Sequence, residues 1–103
     1  MITERLSFRA KYGHGDVLAQ LFKESFDQFI TADVLGARIY TDVTGPMFTV
    51  VAESDFADLA AYSRYGDASN EMYANPDFGT WFAKMMACTE TGDRQLFNSE
   101  RVR

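Results

Sequence analysis

The sequence predicts one α+β domain, with a four-stranded antiparallel sheet and helices on one face. Three observations support this fold class. The chain has 103 residues, a length typical of a single domain. Its hydrophobic period changes in the order β-α-β-β-α-β, with one further helix before the last strand. Two interleaved right-handed β-α-β units would place the last strand-like segment, Thr89–Asn98, beside the first, Glu4–Tyr12.

Composition restricts the class of protein. Hydrophobic residues make up 47% and aromatic residues 15% of the chain, which favours an ordered globular protein. The net charge of −5 argues against nonspecific binding to nucleic acid. The single cysteine, Cys88, excludes an internal disulfide. With no apolar core of a signal peptide and no apolar run of ~20 residues, we expect a cytoplasmic protein without membrane association.

The first predicted strand, Glu4–Tyr12, alternates between apolar and polar residues. Its apolar face is formed by Leu6, Phe8, Ala10 and Tyr12, and its polar face by Arg5, Ser7, Arg9 and Lys11. The turn Gly13-His14-Gly15 ends the strand, because glycine permits the backbone angles of a tight turn. Asp16 is then a suitable N-cap for an amphipathic helix over Val17–Ile30.

A hairpin is predicted next. Ala37–Val43 and Met47–Glu53 have strand-like composition, and Thr44-Gly45-Pro46 between them interrupts both helices and strands. Ser54 or Asp55 is expected to cap the second helix.

The second helix is expected to weaken near Tyr65–Asn70, and a third helix begins at Asn75-Pro76. Asparagine is a frequent N-cap, and proline fits the first helical turn. The apolar positions of this helix recur at three- and four-residue steps, as Phe78, Trp81, Phe82, Met85 and Met86. Cys88–Asn98 then forms the last strand, with a bend expected at Gly92.

Two segments resemble a known superfamily. The motif Asn75-Pro76-x-Phe78-x-x-Trp81-Phe82 and the ending Thr91–Phe97 are similar to the dimeric α/β-barrel proteins, especially NIPSNAP-like and antibiotic-biosynthesis-monooxygenase-like members. The resemblance implies a ferredoxin-like βαββαβ sandwich that dimerises into a barrel through its open sheet face. It also implies ligand pockets beside the sheets. Members include cofactor-independent oxygenases, haem-degrading enzymes, isomerases and ligand-sensing domains, so the fold does not choose the activity.

His14, the only histidine, is a candidate catalytic base, with Asp16 two residues later to orient it. Tyr12 is an alternative proton carrier at the end of the first strand. The competing interpretation is that His14 is an exposed turn residue and that Asp16 serves as a helix cap.

Basic side chains on the polar face of the first strand are candidate ligand contacts. Arg5, Arg9 and Lys11, joined by Arg38, could line the barrel interior and attract a carboxylate or phenolate. Arg9 is the best candidate because it lies in the middle of its strand. Alternatively, nearby acids neutralise these bases across the sheet, namely Glu4, Glu53, Glu90 and Asp42.

Aromatic and amide side chains in the second half provide a further candidate group. In monooxygenase-like relatives, Asn, Trp and Tyr or Arg side chains hold an aromatic substrate, and the resemblance extends such roles to Asn70 and Trp81. Tyr65 is a further candidate, which could stack on the substrate ring together with Trp81. Tyr62 and Tyr73 lie in the same region. The competing interpretation places Trp81 in the apolar stripe of its helix, where it packs in the core.

No cofactor or metal is expected, because one histidine, one cysteine and scattered carboxylates form no recognisable ligand set. The sequence therefore predicts a small homodimer that binds a small aromatic or carboxylated metabolite. One alternative is a cofactor-independent monooxygenase or isomerase, and another is a protein–protein interaction module.

Overall fold

A computed structural model describes all 103 residues. Its elements are β1 (Ile2–Ala10), α1 (Gly15–Phe29), β2 (Gly36–Thr41), β3 (Thr49–Phe56), α2 (Leu59–Ala74), α3 (Pro76–Ala87) and β4 (Thr89–Asn98). The predicted order of elements is confirmed, including the additional helix before the last strand. None of these helices combines the length and the apolar character needed to cross a lipid bilayer.

The four strands form one antiparallel sheet in the order β2-β3-β1-β4. The first and last strands pair along their length, as the sequence predicts. In this register Arg5 lies between Glu53 on β3 and Gln95 on β4. The central position of β1 means that its side chains reach both faces of the sheet close to the middle of the domain.

The helices cover one face, and the main core lies between them and the sheet. Its buried members include Ala10, Leu18, Leu21, Phe22, Val50, Ala52 and Met85. The even-numbered residues of β1, such as Leu6 and Phe8, face this core, and Arg5 and Arg9 lie on the opposite, open face. The predicted assignment of these two faces is confirmed.

The turn after β1 differs from the prediction. β1 ends at Ala10, so Tyr12 lies outside the strand and is 79% exposed. Gly13 adopts φ +81, and α1 begins at Gly15 with His14 at the N-cap position. The side chain of His14 makes no capping hydrogen bond. Asp16 therefore lies in the first helical turn, and its prediction as the N-cap is wrong.

The start of α2 is also displaced. β3 continues to Phe56, because this residue still pairs with Ile2 of β1. Asp58 caps the helix by accepting a hydrogen bond from the Ala61 amide at 2.8 Å. The predicted caps at Ser54 or Asp55 are wrong, since both residues belong to the strand.

The course of α2 differs from the prediction, whereas the start of α3 agrees with it. The helix α2 does not weaken near residues 65–70 but continues to Ala74. The predicted start of α3 is confirmed, because the Asn75 side chain accepts a hydrogen bond from the Asp77 amide at 2.9 Å and Pro76 occupies the first turn.

Candidate functional site

A pocket of about 490 Å³ lies between the sheet and the helices. Most of its lining is apolar. Aromatic rings on three sides of it come from Phe8 of β1, Phe22, Phe26 and Phe29 of α1, and Phe78 and Trp81 of α3. The pocket can therefore enclose a flat, largely apolar molecule.

The α3 wall of the pocket is held in place by Trp81. Its indole Nε1 donates a hydrogen bond to the Leu21 carbonyl of α1 at 2.6 Å. Its ring centroid lies 5.7 Å from that of Phe22 and 5.5 Å from that of Phe78. The polar atom of Trp81 is thus used within the protein, and the ring offers its apolar surface to the pocket.

The floor of the pocket includes Phe8, whose ring stacks on Phe22 with a centroid separation of 4.8 Å. Phe8 also covers Gly92, its cross-strand neighbour on β4. A Cβ atom at position 92 would lie only 2.8 Å from the Phe8 ring. Glycine fits here because the ring takes the space of a side chain, and a larger residue would displace the ring.

A polar group interrupts the apolar lining at Glu4 of β1. Its residue surface is 7% exposed, and the Tyr62 hydroxyl of α2 donates a hydrogen bond of 2.5 Å to Oε2. The Nε atom of Arg94, on β4, lies 3.6 Å from the same oxygen. All three residues line the pocket, so one end of it can make hydrogen bonds.

Tyr62 is a neutral donor in this arrangement. Burial, followed by the hydrogen bond to Glu4 and the charge of that residue, raises the pKa of Tyr62 to about 12. Burial also raises the pKa of Tyr65, which lines the pocket as well. Both phenols therefore keep their protons at neutral pH.

The open face of the sheet carries a separate ion-pair network around Glu53, which is 3% exposed. Arg5 Nε donates to Glu53 Oε2 at 2.6 Å, and Arg38 Nε donates to Oε1 at 2.8 Å. The Tyr40 hydroxyl also donates to Oε1 at 3.0 Å, and Arg38 Nη1 reaches Asp55 at 2.7 Å. Acids thus neutralise Arg5 and Arg38 across the sheet, as one interpretation of the sequence predicts, but Glu53 is the only one of the four predicted acids that does so. The second acid, Asp55, is not among those predicted.

The network lowers the pKa of both of its carboxyls. At Glu53, burial opposes ionisation, but hydrogen bonds from Arg5 and Tyr40 and the nearby positive charges outweigh it. At Asp55, the hydrogen bond from Arg38 is the largest cause of the lowered pKa, and Thr3 contributes a second hydrogen bond. The open face therefore favours the ionised form of both carboxyls.

Two of the predicted ligand-binding residues meet in the pocket, namely Tyr65 and Trp81. Asn70 is exposed on α2 and is not part of the lining. Arg9 is exposed on the open face, on the other side of the sheet from the pocket.

The two predicted proton carriers also lie outside the pocket lining. His14 is an exposed turn residue at the start of α1. Tyr12 packs edge-on against Phe48, with a centroid separation of 4.9 Å. The structure therefore separates His14 and Tyr12 from Tyr65 and Trp81.

Sequence reasoning missed the polar end of the pocket. The available signal was the phase of β1, in which Glu4 shares the core-facing side with Leu6 and Phe8. A carboxylate at such a position needs a partner. The partners, Tyr62 and Arg94, are distant in sequence, and no local pattern indicates them.

No group of three or more His, Cys, Asp or Glu side chains is placed to hold a metal ion. The thiol of Cys88 is buried and lies 3.4 Å from the Met85 carbonyl oxygen, to which it donates. It is a core residue in this structure.

Comparison with known proteins supports the fold. No protein-family profile and no curated protein sequence matches the chain. Among solved structures, an uncharacterised NIPSNAP domain protein from Burkholderia xenovorans aligns with a TM-score of 0.77 and 14% identity, covering 100% of this chain and 98% of that one. A NIPSNAP family protein of unknown function from Agrobacterium tumefaciens aligns with a TM-score of 0.70 and 14% identity, over 100% and 91%.

A third structure extends the likeness to an enzyme. SnoaB, a cofactor-independent oxygenase from Streptomyces nogalater, aligns with a TM-score of 0.68 and 16% identity, covering 98% of this chain and 94% of that one. The chain has the ferredoxin-like fold of these NIPSNAP and monooxygenase-like proteins. The resemblance seen in the sequence is confirmed at the level of the fold, and such low identities carry no activity across.

Proposed function

We propose that this protein binds a small aromatic ligand in the pocket between the sheet and the helices. The observation that carries the proposal is the aromatic lining of the 490 Å³ pocket. Ligand sites commonly occupy about 300–1,000 Å³ and combine apolar walls with a few polar groups. A molecule of two or three fused rings fits this description.

The packing around the pocket supports a binding role. The pocket is open to solvent on one side, and most of its lining residues are hydrophobic. Its walls include packed rings such as Phe22 and Trp81. A ligand would remove this apolar surface from water without rearranging the fold.

Binding of naphthalene to the native protein and to two variants tests the proposal. The variants replace one of two helical glycines, which form a matched pair. Gly66 and Gly79 each have open space where a Cβ would stand, but only Gly66 lines the pocket. We expect the native protein and Gly79→Phe to bind naphthalene in a fluorescence titration. Gly66→Phe should weaken binding at least about tenfold, because its ring competes for the same apolar site.

The comparison between the two glycine variants decides whether naphthalene binds in the pocket. Circular dichroism and thermal unfolding would establish that both variants are folded. Absence of naphthalene binding to the native protein, or equal binding by the two folded variants, contradicts the proposal.

A second candidate function is cofactor-independent oxygenation or isomerisation of the bound ligand. Two observations favour it: the structural likeness to SnoaB, named as such an oxygenase, and the Glu4 carboxylate in the pocket. Both reactions can begin when a base takes a proton from the substrate. Oxygen uptake or isomer formation with dihydroxynaphthalenes, faster than in the absence of protein, would support it. No acceleration across this series would oppose it.

We also propose that the open face of the sheet forms a homodimer interface. Tyr40 is 46% exposed and Phe97 39% exposed on this face, and the Arg5 guanidinium lies 5.1 Å from the Phe97 ring centroid. Arg9 adds an exposed cation. Sedimentation velocity should find a dimer that Tyr40→Glu dissociates, and a monomeric native protein would contradict this assignment.

A further inference from the structure

We infer that Glu4 selects the ligand by accepting a hydrogen bond from it, so that the ligand is a neutral aromatic molecule with a hydroxyl or N–H group. This inference rests on the proposed binding function and names the chemical class that the pocket takes. Glu4 is the ligand-orienting group at the polar end of the pocket.

The two carboxylate oxygens of Glu4 differ in their hydrogen-bond partners. Tyr62 and Arg94 both approach Oε2 of Glu4, at 2.5 Å and 3.6 Å. Oε1 has no hydrogen-bond donor from the protein. Oε1 is not fully buried, because Thr31 Oγ1 is the only side-chain polar atom that is both fully buried and without a hydrogen-bond partner. Oε1 therefore has no donor from the protein and keeps some accessible surface.

Glu53, the other buried glutamate, is more completely hydrogen-bonded than Glu4. Both of its oxygens are used: Arg5 donates to Oε2, and Arg38 and Tyr40 donate to Oε1. A carboxylate with a purely structural role is satisfied in this way. Glu4 differs in keeping one oxygen free beside an apolar pocket.

The charges at the polar end of the pocket favour a neutral ligand. Glu4 is 7% exposed, whereas the Arg94 side chain is 65% exposed and lies beyond hydrogen-bonding distance. Solvent therefore screens the cation more than it screens the acid. A ligand carboxylate would meet the negative charge of Glu4 in an apolar setting, whereas a neutral O–H or N–H would satisfy it.

Three naphthalene derivatives of similar size test this class on the native protein. 1-Naphthol can donate a hydrogen bond, 1-methoxynaphthalene can only accept one, and 1-naphthoate carries a negative charge. We expect 1-naphthol to bind at least about tenfold more tightly than the other two, because a donor to a charged acceptor gives strong discrimination. This comparison needs no variant and does not depend on the stability of any.

Glu4→Gln then assigns the preference to its residue. Glutamine keeps the size of the side chain and an acceptor for Tyr62, but removes the charge. We expect the preference for 1-naphthol over 1-methoxynaphthalene to fall below about threefold, with the affinity for the methoxy compound unchanged. Glu90→Gln, the same substitution at an exposed position of β4, should retain the full preference.

The outcomes separate this inference from the function on which it rests. Equal binding of 1-naphthol and 1-methoxynaphthalene, tightest binding of 1-naphthoate, or an undiminished preference in folded Glu4→Gln overturns the role of Glu4. In each of those cases the pocket still binds aromatic molecules. Failure of naphthalene and all three derivatives to bind overturns both proposals.

Discussion

The two faces of the sheet treat their buried carboxylates differently. On the open face, Glu53 is surrounded by the donors of Arg5, Arg38 and Tyr40. On the helix-covered face, Glu4 receives one short hydrogen bond from Tyr62 and has a free oxygen in a pocket. The neighbouring strands β3 and β1 thus supply a buried carboxylate for a structural network and one for a candidate binding group. Burial of the carboxylate does not distinguish the structural role from the binding role. The number of hydrogen-bond donors that the protein supplies to each carboxylate does.

The largest expected effect comes from making the same substitution on the two faces. Glu53→Gln should lower the free energy of unfolding by about 2 kcal/mol, because it leaves two arginines without their shared charge. The 44% and 40% exposure of Arg5 and Arg38 allows water to replace part of the loss. Glu4→Gln should cost less than about 1 kcal/mol, since only one hydrogen bond depends on it. Urea unfolding measures both.

The control for this pair is Glu90→Gln, which should leave the urea midpoint unchanged. If Glu4→Gln destabilises the protein as much as Glu53→Gln does, the distinction between the two faces is wrong. An altered slope of the transition would indicate a change in the unfolding reaction and not in one contact.

Alkaline pH should act on the helix-covered face. The folded pKa of Tyr62 is about 12, above the value of about 10 for an unfolded tyrosine. The folded state therefore holds the Tyr62 proton more tightly than the unfolded state. The resulting contribution to the free energy of unfolding is complete below pH 10 and is lost as the pH rises through 12. We expect native protein to lose about 1 to 2 kcal/mol more than Tyr62→Phe between about pH 9 and pH 12. Parallel stability curves for the two proteins would contradict the assignment.

Acidic pH should lower the free energy of unfolding by protonating carboxylates on the open face. This is the smallest of the expected effects. The pKa values of Glu53 and Asp55 are lowered in the folded state. Their contribution is present above the unfolded values of about 4 and is lost as the pH falls through the folded values. Burial of Glu53 cancels part of this contribution. The acid limb of the stability curve should be shallower in Asp55→Asn, and an unchanged limb would show that this network does not control it.

Sequence patterns predict the fold well because they depend on local spacing. The alternation along β1 assigns Leu6 and Arg5 to opposite faces, and Asn75-Pro76 marks the start of α3. The other helix starts depend on how far neighbouring strands pair. Phe56 remains in β3 because Ile2 lies opposite it, and no pattern within residues 54–58 contains that information.

The site is harder to predict because its members come from separate elements. Trp81 and Tyr65 could be identified as aromatic candidates from their residue types, and both line the pocket. The contact between Glu4 and Tyr62 joins residues 58 positions apart. It follows from the packing of α2 against the sheet, which the hydrophobic periodicity of the separate segments does not specify.

The close approach of Phe8 to Gly92 makes the depth of the pocket adjustable. Because a Cβ at position 92 would clash with the ring at 2.8 Å, any larger residue there would push Phe8 out of its place beside Phe22. A single substitution on the edge strand β4 could thus change the size of the ligand that the pocket accommodates, without altering Glu4. Position 92 is the natural starting point for redesigning which molecules this scaffold admits.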